Sequence, residues 1–490
     1  MVFSSLLFLC AFLPLQLIVY RLVPGLEKKN IVLLVFSLIF YAWGEPVYVL
    51  LLLGMSFVCW FCALRIKPKT EGGSGRGWLA LAVAVCLGLL CIFKYGSFLA
   101  ASFYSVFGID KEAASIPLPI GISFYTFQLI TYVVDVYRGD SKPQARYYRV
   151  LLYASLFHQC IAGPIVRYGD IENALTSRRV TLDDFATGVN RFSVGLAKKA
   201  LLANNLGAIA DMTLLSDSAA GNTALLAENV ATLSSRSAVM LWLGMLCYAM
   251  QIYLDFSAYS DMAIGMGLMV GFRYKENFRY PYMSSTVGEF WRRWHISLGT
   301  FFRDYVYIPL GGNRKGLART IVNLFIVWAL TGLWHGAGWN FVLWGLYFFV
   351  FLVFERTPIG KKYVEKAPKA LKHALLLLAV YFGWILFKFN SLTLGATVLK
   401  GMFLLNSNPF ASFEAWSLIK GDVIFIIICV IACTPAAWYI DLAEQLIADK
   451  NRAAKAVYTV KTALVPLVLI AASVLALVGN SYNPFLYFQF

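Results

Sequence analysis

Long apolar blocks separated by short polar loops run along the whole chain. A membrane-spanning helix needs about 20 predominantly apolar residues, and on this criterion the pattern predicts about eleven spans. They are predicted at 3–20, 31–43, 47–64, 79–100, 118–137, 186–204, 238–270, a hairpin over 321–354, 373–389, 423–440 and 463–479. No fixed-period repeat and no long polar linker interrupts the series. The pattern therefore predicts an all-α integral membrane protein.

One further apolar run, 148–166, conflicts with the distribution of charge. Basic residues flank it on both sides, and a full crossing would break the rule that short basic loops stay in the cytoplasm. A re-entrant or interfacial helix would not break it, because irregular backbone at membrane depth is tolerated where protein or water covers it. We expect such a helix to line a cavity, and the sequence leaves open whether 148–166 is a full span.

The composition agrees with a membrane protein and excludes several other classes. The chain has 60% hydrophobic and 14% charged residues, whereas soluble domains carry about 25% charged residues. A soluble globular enzyme, a disordered chain and a disulfide-stapled secreted domain are therefore excluded. The net charge of +16 lies in loops between apolar runs, which is typical of membrane topology rather than of nucleic-acid binding.

The basic loops also predict an orientation. Lysine and arginine are concentrated in the short loops 65–78, 138–149 and 356–372, and they are sparse in 205–237 and 390–419. The positive-inside rule puts the first three in the cytoplasm and the other two outside. With this alternation both chain termini are expected on the extracytoplasmic side.

Three of the four histidines, His158, His295 and His335, sit within or beside apolar segments. A histidine at membrane depth is costly and is a functional candidate, although a hydrogen bond to a backbone carbonyl also accounts for many of them. His335 stands out because Gly332 and Gly336 flank it, and glycines let a ligand or another helix approach the backbone. A neutral imidazole at this position can act as a general base.

The most polar part of the apolar region is the stretch 289–319, where basic residues alternate with tryptophans. Two interpretations fit equally well. The stretch is typical of an interfacial amphipathic helix anchored by tryptophan and arginine. It also suits a site for a polyanionic ligand, because arginine binds phosphate through two parallel hydrogen bonds.

Two carboxylates, Asp255 and Asp261, lie on an otherwise apolar helix, and Ser257 shares a face with Asp261. They are candidates for an ion or proton relay in a transporter. They also suit structural ion pairs, which we favour because the basic stretch 292–319 supplies partners. No metal-ligand cluster, nucleotide-binding loop or serine-nucleophile motif occurs in the sequence.

Several motifs together resemble the membrane-bound O-acyltransferase family, and within it most closely the bacterial alginate O-acetyltransferase branch. The resemblance extends over essentially the whole chain. The motifs that carry it are Leu118–Tyr125, Tyr253–Ser257, Glu289–Leu298, Tyr307–Arg314 and Gly332–Ala337.

The resemblance implies a fold and an active site. The fold is a bundle of about eleven transmembrane helices, with re-entrant or interfacial helices around a central funnel or tunnel. Residues 1–117 form N-terminal transmembrane helices, 118–390 the catalytic core, and 391–490 C-terminal helices with an extracytoplasmic aromatic tail. The resemblance assigns His335 as the essential histidine and His295 as a second active-site histidine. Asp255, Ser257, Asp261 and Asn340 are expected to line the tunnel.

The implied reaction is transfer of an acetyl group from cytoplasmic acetyl-coenzyme A to an extracytoplasmic polysaccharide in the bacterial cytoplasmic (inner) membrane. Acetyl-coenzyme A is then a donor substrate, and neither a bound cofactor nor a metal is expected. Arg292, Arg293, Arg314 and Lys315 are candidates to hold the coenzyme phosphates. A periplasmic acetyltransferase of the SGNH type is the expected protein partner, and nucleic acid is excluded because no basic soluble module exists to read it.

The C-terminal segment contains a candidate acyl carrier. Residues 484–490 resemble the terminal aromatic motif of a small partner protein in the related D-alanyl transfer system, in which a tyrosine is proposed to carry the acyl group. By analogy, Tyr487 is a candidate to accept acetyl at the outer mouth of the tunnel. Aromatic residues in such a place are more usually membrane-interface anchors, and this alternative stays open.

Two other functions compete with the first. The same transfer can have another acceptor, namely peptidoglycan, cellulose or teichoic acid. A protein of a different class, an ion-coupled transporter using Asp255 and Asp261, would be favoured by inverted repeats, which the sequence does not show.

Overall fold

The structure is a computed structural model that describes residues 1–69, 72–73, 75–109, 111, 113–114, 116–161, 163–215, 222–479 and 482–483. Helices account for the regular structure of these residues, and no strand occurs among them. The longest helix is Ala238–Met269, with 32 residues. The prediction of an all-α protein is confirmed.

Six helices of the described chain are long and apolar enough to cross a membrane. A seventh span is added if the bent pair Trp339–Phe354 and Pro358–Lys366, which meet at 79°, counts as one. The protein is thus a multi-pass membrane protein, whereas the larger number of spans and the funnel remain predictions. The six helices are Arg76–Val106, Ala238–Met269, Gly316–His335, Lys369–Lys388, Phe413–Ala432 and Arg452–Val478.

Several predicted spans are shorter helices in the structure. Val49–Arg65 has 17 residues, which at 1.5 Å per residue gives about 25 Å, less than the hydrocarbon thickness of about 30 Å. The span predicted at 423–440 is wrong in its bounds, because Phe413–Ala432 ends before Pro435 and Ala436–Ala448 begins after it. Proline lacks a backbone N–H and is accommodated at a helix start, so an apolar run that contains it does not make one helix.

The apolar run 148–166 does not form one continuous helix. Tyr147–Ser155 has nine residues and Phe157–Cys160 has four, with a break at Leu156. Nine helical residues extend only about 14 Å, about half of the hydrocarbon thickness. All residues from Val150 to Cys160 are buried. The structure therefore favours the re-entrant alternative over a single helical crossing.

The chain divides into two compact units. The first unit contains Met1–Leu196 and Tyr259–Asn277. Its interior holds an aromatic cluster in which Phe8, Phe40 and Phe157 pack together. Its helices are Phe8–Leu22, Leu26–Gly44, Val49–Arg65, Arg76–Val106, Ile122–Arg138, Tyr147–Ser155, Phe157–Cys160, Tyr168–Thr176, most of Leu182–Ala197 and the end of Ala238–Met269.

The second unit contains Ala197–Ala258 and Phe278–Phe490. Its core is dominated by aromatic side chains, of which Trp344 and Trp384 are the largest that are fully buried. The predicted boundaries after residues 117 and 390 concern function and remain predictions. The unit's helices are Lys198–Ala203, Asn204–Leu214, Thr223–Ser235, the first part of Ala238–Met269, Pro281–Met283, Val287–Arg293, Ile296–Phe302, Arg303–Tyr307, Gly316–His335, Trp339–Phe354, Pro358–Lys366, Lys369–Lys388, Leu392–Met402, Phe413–Ala432, Ala436–Ala448 and Arg452–Val478.

Candidate active site

A tightly packed helix hairpin in the second unit positions His335. Helices Gly316–His335 and Trp339–Phe354 form this hairpin. A Cβ atom on Gly332 would lie 2.3 Å from the carbonyl oxygen of Phe341, and one on Gly345 would lie 2.3 Å from that of Trp328. Only glycine permits so close an approach of two backbones. The hairpin thereby fixes the end of the first helix, where His335 lies.

His335 is the last residue of its helix, and its side chain is buried in an aromatic shell. Its imidazole centroid lies 4.9 Å from that of Trp344 and 5.2 Å from that of Phe387. A Cβ on Gly336 would lie 2.2 Å from the ring of Phe341. Gly332 therefore allows the neighbouring helix to approach, and Gly336 allows an aromatic ring to approach. The sequence alone had left open whether these glycines admit a ligand or another helix.

His295 occupies a break between two short helices. Val287–Arg293 ends at Trp294, which is extended, and Ile296–Phe302 begins after His295. His295 has φ 45° and ψ 54°, in the left-handed region, which costs a non-glycine residue roughly 1–2 kcal/mol. The stretch 289–319 is therefore not one continuous amphipathic helix, and Trp294 and His295 are buried at the break.

The indole of Trp334 connects the two histidines. Its ring centroid lies 5.6 Å from that of His295 and 5.0 Å from that of His335. On its other side, His295 packs edge-on against Phe256, and the Oγ atom of Ser297 lies 3.4 Å from its Nδ1 atom. The structure therefore brings both predicted histidines into one aromatic cluster, which consists of His295, Trp334, His335, Trp344 and Phe387.

Two buried polar atoms, one in this cluster and one beside it, lack a hydrogen-bond partner among the described residues. They are the Nε1 atom of Trp344 and the Oδ1 atom of Asn340. The Nδ2 atom of Asn340 donates to the carbonyl of Leu386 at 3.3 Å. Leaving a buried donor or acceptor unsatisfied costs about 1–3 kcal/mol. A water molecule or a polar substrate atom in this place would remove that cost.

The Asp255 carboxylate forms an ion pair that the sequence did not predict. Lys199 Nζ lies 2.8 Å from Asp255 Oδ1, and both side chains are almost completely buried. The expectation that the basic stretch 292–319 supplies the partner is wrong, since the partner comes from a lysine at the end of another apolar run. Ser257, also buried, donates to the carbonyl of Leu254 at 3.4 Å.

Asp261 forms its ion pair within the first unit. Arg191 Nε donates to Asp261 Oδ1 at 2.8 Å, and Arg191 Nη2 also contacts Glu276 at 2.6 Å. Its partner again comes from outside the basic stretch 292–319. Both predicted relay carboxylates are thus engaged by cations, which favours the structural interpretation of Asp255 and Asp261 over an ion relay.

The four predicted donor-binding residues lie at the surface of the second unit. Arg293 is partly exposed and pairs with Glu289, one helical turn away, at 2.7 Å. Their helix is held at its start by Glu355, which accepts hydrogen bonds from the backbone of Val287 and Gly288. The other three, Arg292, Arg314 and Lys315, are exposed. Their accessibility suits a role in binding a soluble anion, and that role stays a prediction.

A polar cluster formed by Asp211, Lys388 and Tyr482 was not predicted from the sequence. Lys388 Nζ lies 2.8 Å from Asp211 Oδ1, and the Tyr482 hydroxyl donates to Asp211 Oδ2 at 2.5 Å. Lys388 at the end of an apolar helix was a signal that a carboxylate lies nearby, although the sequence does not say which. The candidate carrier Tyr487 lies outside the described residues.

Comparisons with known proteins connect this site to a family. The model of the membrane-bound O-acyltransferase family matches residues 144–399, which include both histidines. A probable alginate O-acetylase of Pseudomonas putida is 37% identical over 509 aligned residues, and the alignment covers 100% of both chains. The corresponding protein of Azotobacter vinelandii is 38% identical, again over the full length of both.

A peptidoglycan O-acetyltransferase of Helicobacter pylori is 32% identical over 83% of this chain and 80% of its own length. The match to the family model covers more than half of the chain, and the two full-length relatives extend it to the remainder. The expectation of an acyltransferase, specifically an O-acetyltransferase, is confirmed. The chain belongs to the membrane-bound O-acyltransferase family.

Proposed function

We propose that the protein transfers acetyl groups from cytoplasmic acetyl-coenzyme A, through the membrane, for O-acetylation of an alginate-like extracytoplasmic polysaccharide. The two full-length relatives named as alginate O-acetylases support this acceptor. The protein acts in the bacterial cytoplasmic membrane, with its basic loops in the cytoplasm and both termini outside. A periplasmic acetyltransferase of the SGNH type receives the acetyl group.

The observation that carries the proposal is the pair of buried histidines that share the Trp334 indole. An aromatic shell around them lowers the local dielectric and strengthens each polar interaction with a substrate. One unsatisfied atom belongs to Trp344 of the same cluster, and the other belongs to Asn340 beside it. Such atoms suit a polar passage that a thioester or hydroxyl group occupies during turnover.

The chemistry needs a general base, and we assign that role to His335. An imidazole nitrogen of His335 takes the proton of the acceptor hydroxyl as its oxygen attacks the thioester carbonyl carbon. The carbon–sulfur bond then breaks, the new ester forms, and the coenzyme thiolate takes up the proton. Help from a general base is typically worth about 10²–10⁴ in rate.

His295 has a different role in this mechanism. Burial in the aromatic shell lowers the pKa of His295, so its imidazole is neutral at neutral pH. A neutral imidazole still donates one hydrogen bond. We therefore assign His295 to orient the thioester or to stabilise the negative charge that develops on its carbonyl oxygen.

The charge of the donor explains why only the acetyl group crosses. Moving the coenzyme phosphates through hydrocarbon would be prohibitively costly. Arg292, Arg314 and Lys315, which are exposed, together with Arg293, hold these phosphates on the cytoplasmic side. Tyr487 is a proposed acceptor of acetyl on the opposite side, from which the periplasmic partner takes it.

One alternative acceptor has support of its own. The relative from Helicobacter pylori is named as a peptidoglycan O-acetyltransferase and aligns with 83% of this chain. The same active site would serve this polymer if the periplasmic partner carried a different specificity. The acceptor is then a property of the partner, and the chemistry of the membrane enzyme is unchanged.

Incubation of the purified protein with radiolabelled acetyl-coenzyme A tests the donor. We expect release of free coenzyme A and covalent labelling of the protein that Tyr487→Phe abolishes. Labelling that persists in Tyr487→Phe would reject the carrier role alone. Absence of both coenzyme release and label, with acetylation in cells intact, would reject acetyl-coenzyme A as the donor.

A further inference from the structure

The first unit contains a basic cavity that the proposed reaction does not use. Its volume is about 640 Å³, which lies within the range of small-molecule sites. Four cationic side chains line it, and the remaining lining residues are apolar apart from a tyrosine and a glycine. The lining consists of Leu17, Ile18, Tyr20, Arg21, Gly25, Leu26, Lys29, Arg178, Arg179, Val180, Leu182, Phe185 and Met269.

Arg178 carries a charge that no described carboxylate neutralises. Its Nε atom donates to the Val270 carbonyl at 2.9 Å, and its Nη1 atom donates to the Ala174 carbonyl at 3.1 Å and to the amide oxygen of Asn30 at 2.5 Å. Its Nη2 atom is buried and has no hydrogen-bond partner among the described residues. The guanidinium also donates to the Tyr20 hydroxyl at 3.1 Å and lies 4.6 Å from the centroid of the Phe272 ring. These partners are neutral, so the positive charge of Arg178 has no counter-charge among the described residues.

Carboxylates that are close in sequence to the cavity residues do not neutralise the charge of Arg178. Glu27 is bound by Arg149, and Asp184 by Arg273 at 2.8 Å. Asp183 is exposed and does not line the cavity. The missing anion is therefore expected to come from a ligand, and arginine clusters bind phosphate through bidentate hydrogen bonds.

The apolar part of the lining indicates what the phosphate belongs to. Ile18 is 56% exposed and Leu182 is 75% exposed, and large apolar side chains that remain exposed in a membrane protein suit contact with lipid tails. Basic pockets among membrane helices on the cytoplasmic side are typical sites for anionic lipid headgroups. A cavity with cationic side chains and exposed apolar side chains suits an amphiphilic ligand, which has both a phosphate and acyl chains, better than it suits a soluble phosphate.

We propose that this cavity, lined by Arg21, Lys29, Arg178 and Arg179, binds the phosphate headgroup of an anionic phospholipid, with its acyl chains against Ile18 and Leu182. Arg21 and Arg179 are the primary phosphate ligands, because both are exposed and line the cavity. Arg178, which is held in place by the Val270 and Ala174 carbonyls, adds its positive charge to the lining. The lipid stabilises the first unit by supplying the absent negative charge.

The test uses the delipidated full-length protein in detergent and measures thermal unfolding and lipid retention by native mass spectrometry. Phosphatidylglycerol is expected to raise the melting temperature, because a ligand that binds only the folded state stabilises it. Phosphatidylcholine, inorganic phosphate and coenzyme A are expected to have no such effect. Equal stabilisation by inorganic phosphate or coenzyme A would overturn the proposal, since the site would then take a soluble anion.

Variants connect the effect to the cavity. Lys29→Gln and Arg179→Gln should each weaken phosphatidylglycerol binding roughly five-fold, and neither residue makes the backbone contacts that Arg178 makes. Lys28→Gln is the matched control, because Lys28 is the exposed neighbour of Lys29 and does not line the cavity. If Lys28→Gln weakened binding as much as Lys29→Gln, or if none of the variants did, binding at this cavity would be refuted.

Discussion

The imidazole of His295 packs against the indole of Trp334, with the two ring centroids 5.6 Å apart. His335 follows Trp334 in the same helix, and the centroid of its imidazole lies 5.0 Å from that of the indole. Two histidines that lie 40 positions apart in sequence thus share one tryptophan, and each has a buried side chain. Trp334 therefore sets their relative position and acts as a positioning residue in the proposed mechanism.

Replacing Trp334 should affect activity more than stability of the hairpin. Trp334→Ala removes the indole that contacts both imidazoles and is expected to lower acetyl transfer about 10²-fold, the cost typical of misplacing a catalytic group by about 1 Å. Trp334→Phe retains an aromatic ring and should recover a large part of the rate. Equal rates in Trp334→Ala and the wild type, measured as coenzyme release, would show that the indole does not position the histidines.

The glycine contact within the helix hairpin predicts a stability effect. Gly345→Ala would force a Cβ to 2.3 Å from the Trp328 carbonyl oxygen and should lower the free energy of unfolding by about 1–3 kcal/mol. Gly421→Ala is the matched control, because it also lies within a helix and nothing is found within 4 Å of its added Cβ. Thermal unfolding in detergent measures both variants, and equal melting temperatures would contradict the packing argument.

The buried ion pair between Lys199 and Asp255 distinguishes a structural role from an ion relay. Removing one partner, as in Asp255→Ala, leaves an uncompensated buried charge and should destabilise the protein by about 3–5 kcal/mol. The double variant Lys199→Met with Asp255→Leu replaces the pair by apolar groups and should restore both stability and acetyl transfer. Restored folding without acetyl transfer would show that the pair takes part in the reaction.

A surface ion pair provides the contrast for this measurement. Arg273 pairs with Asp184 at 2.8 Å, and the Arg273 side chain is 78% exposed. Exposed pairs are worth about 0–1 kcal/mol, so Arg273→Ala should hardly change the melting temperature. A loss as large as that of Asp255→Ala would mean that burial does not determine the strength of these pairs.

The sequence predicted the helical class and the two histidines because hydropathy and motif spacing are local properties. Apolar runs alone misplaced the span predicted at 423–440, since Pro435 interrupts a run that a hydropathy window joins. The left-handed backbone conformation of His295 could not be predicted from the sequence either. The helix break at this residue follows from the burial of Trp294 and His295 in the core. No local pattern encodes such a tertiary effect.

The partners of the buried charges could not be predicted for a related reason. Asp255 and Lys199 lie on different helices, far apart in sequence, and the basic stretch 292–319 offered closer candidates. The choice between partners depends on which helices pack together, and a single sequence carries no information about that packing. The surface location of Arg314 and Lys315, in contrast, followed from their place in a polar loop.

The rate of coenzyme A release by His335→Ala tests the central claim most directly. The purified variant, given acetyl-coenzyme A and the periplasmic partner, should release coenzyme at a rate about 10²–10⁴-fold below the wild type, because the general base is gone. His373→Gln serves as control, since the His373 Nδ1 atom lies 2.8 Å from the Ser284 carbonyl oxygen and His373 is not part of the aromatic cluster, so it should retain the wild-type rate. A folded, membrane-inserted His335→Ala protein that released coenzyme at the wild-type rate would contradict the account.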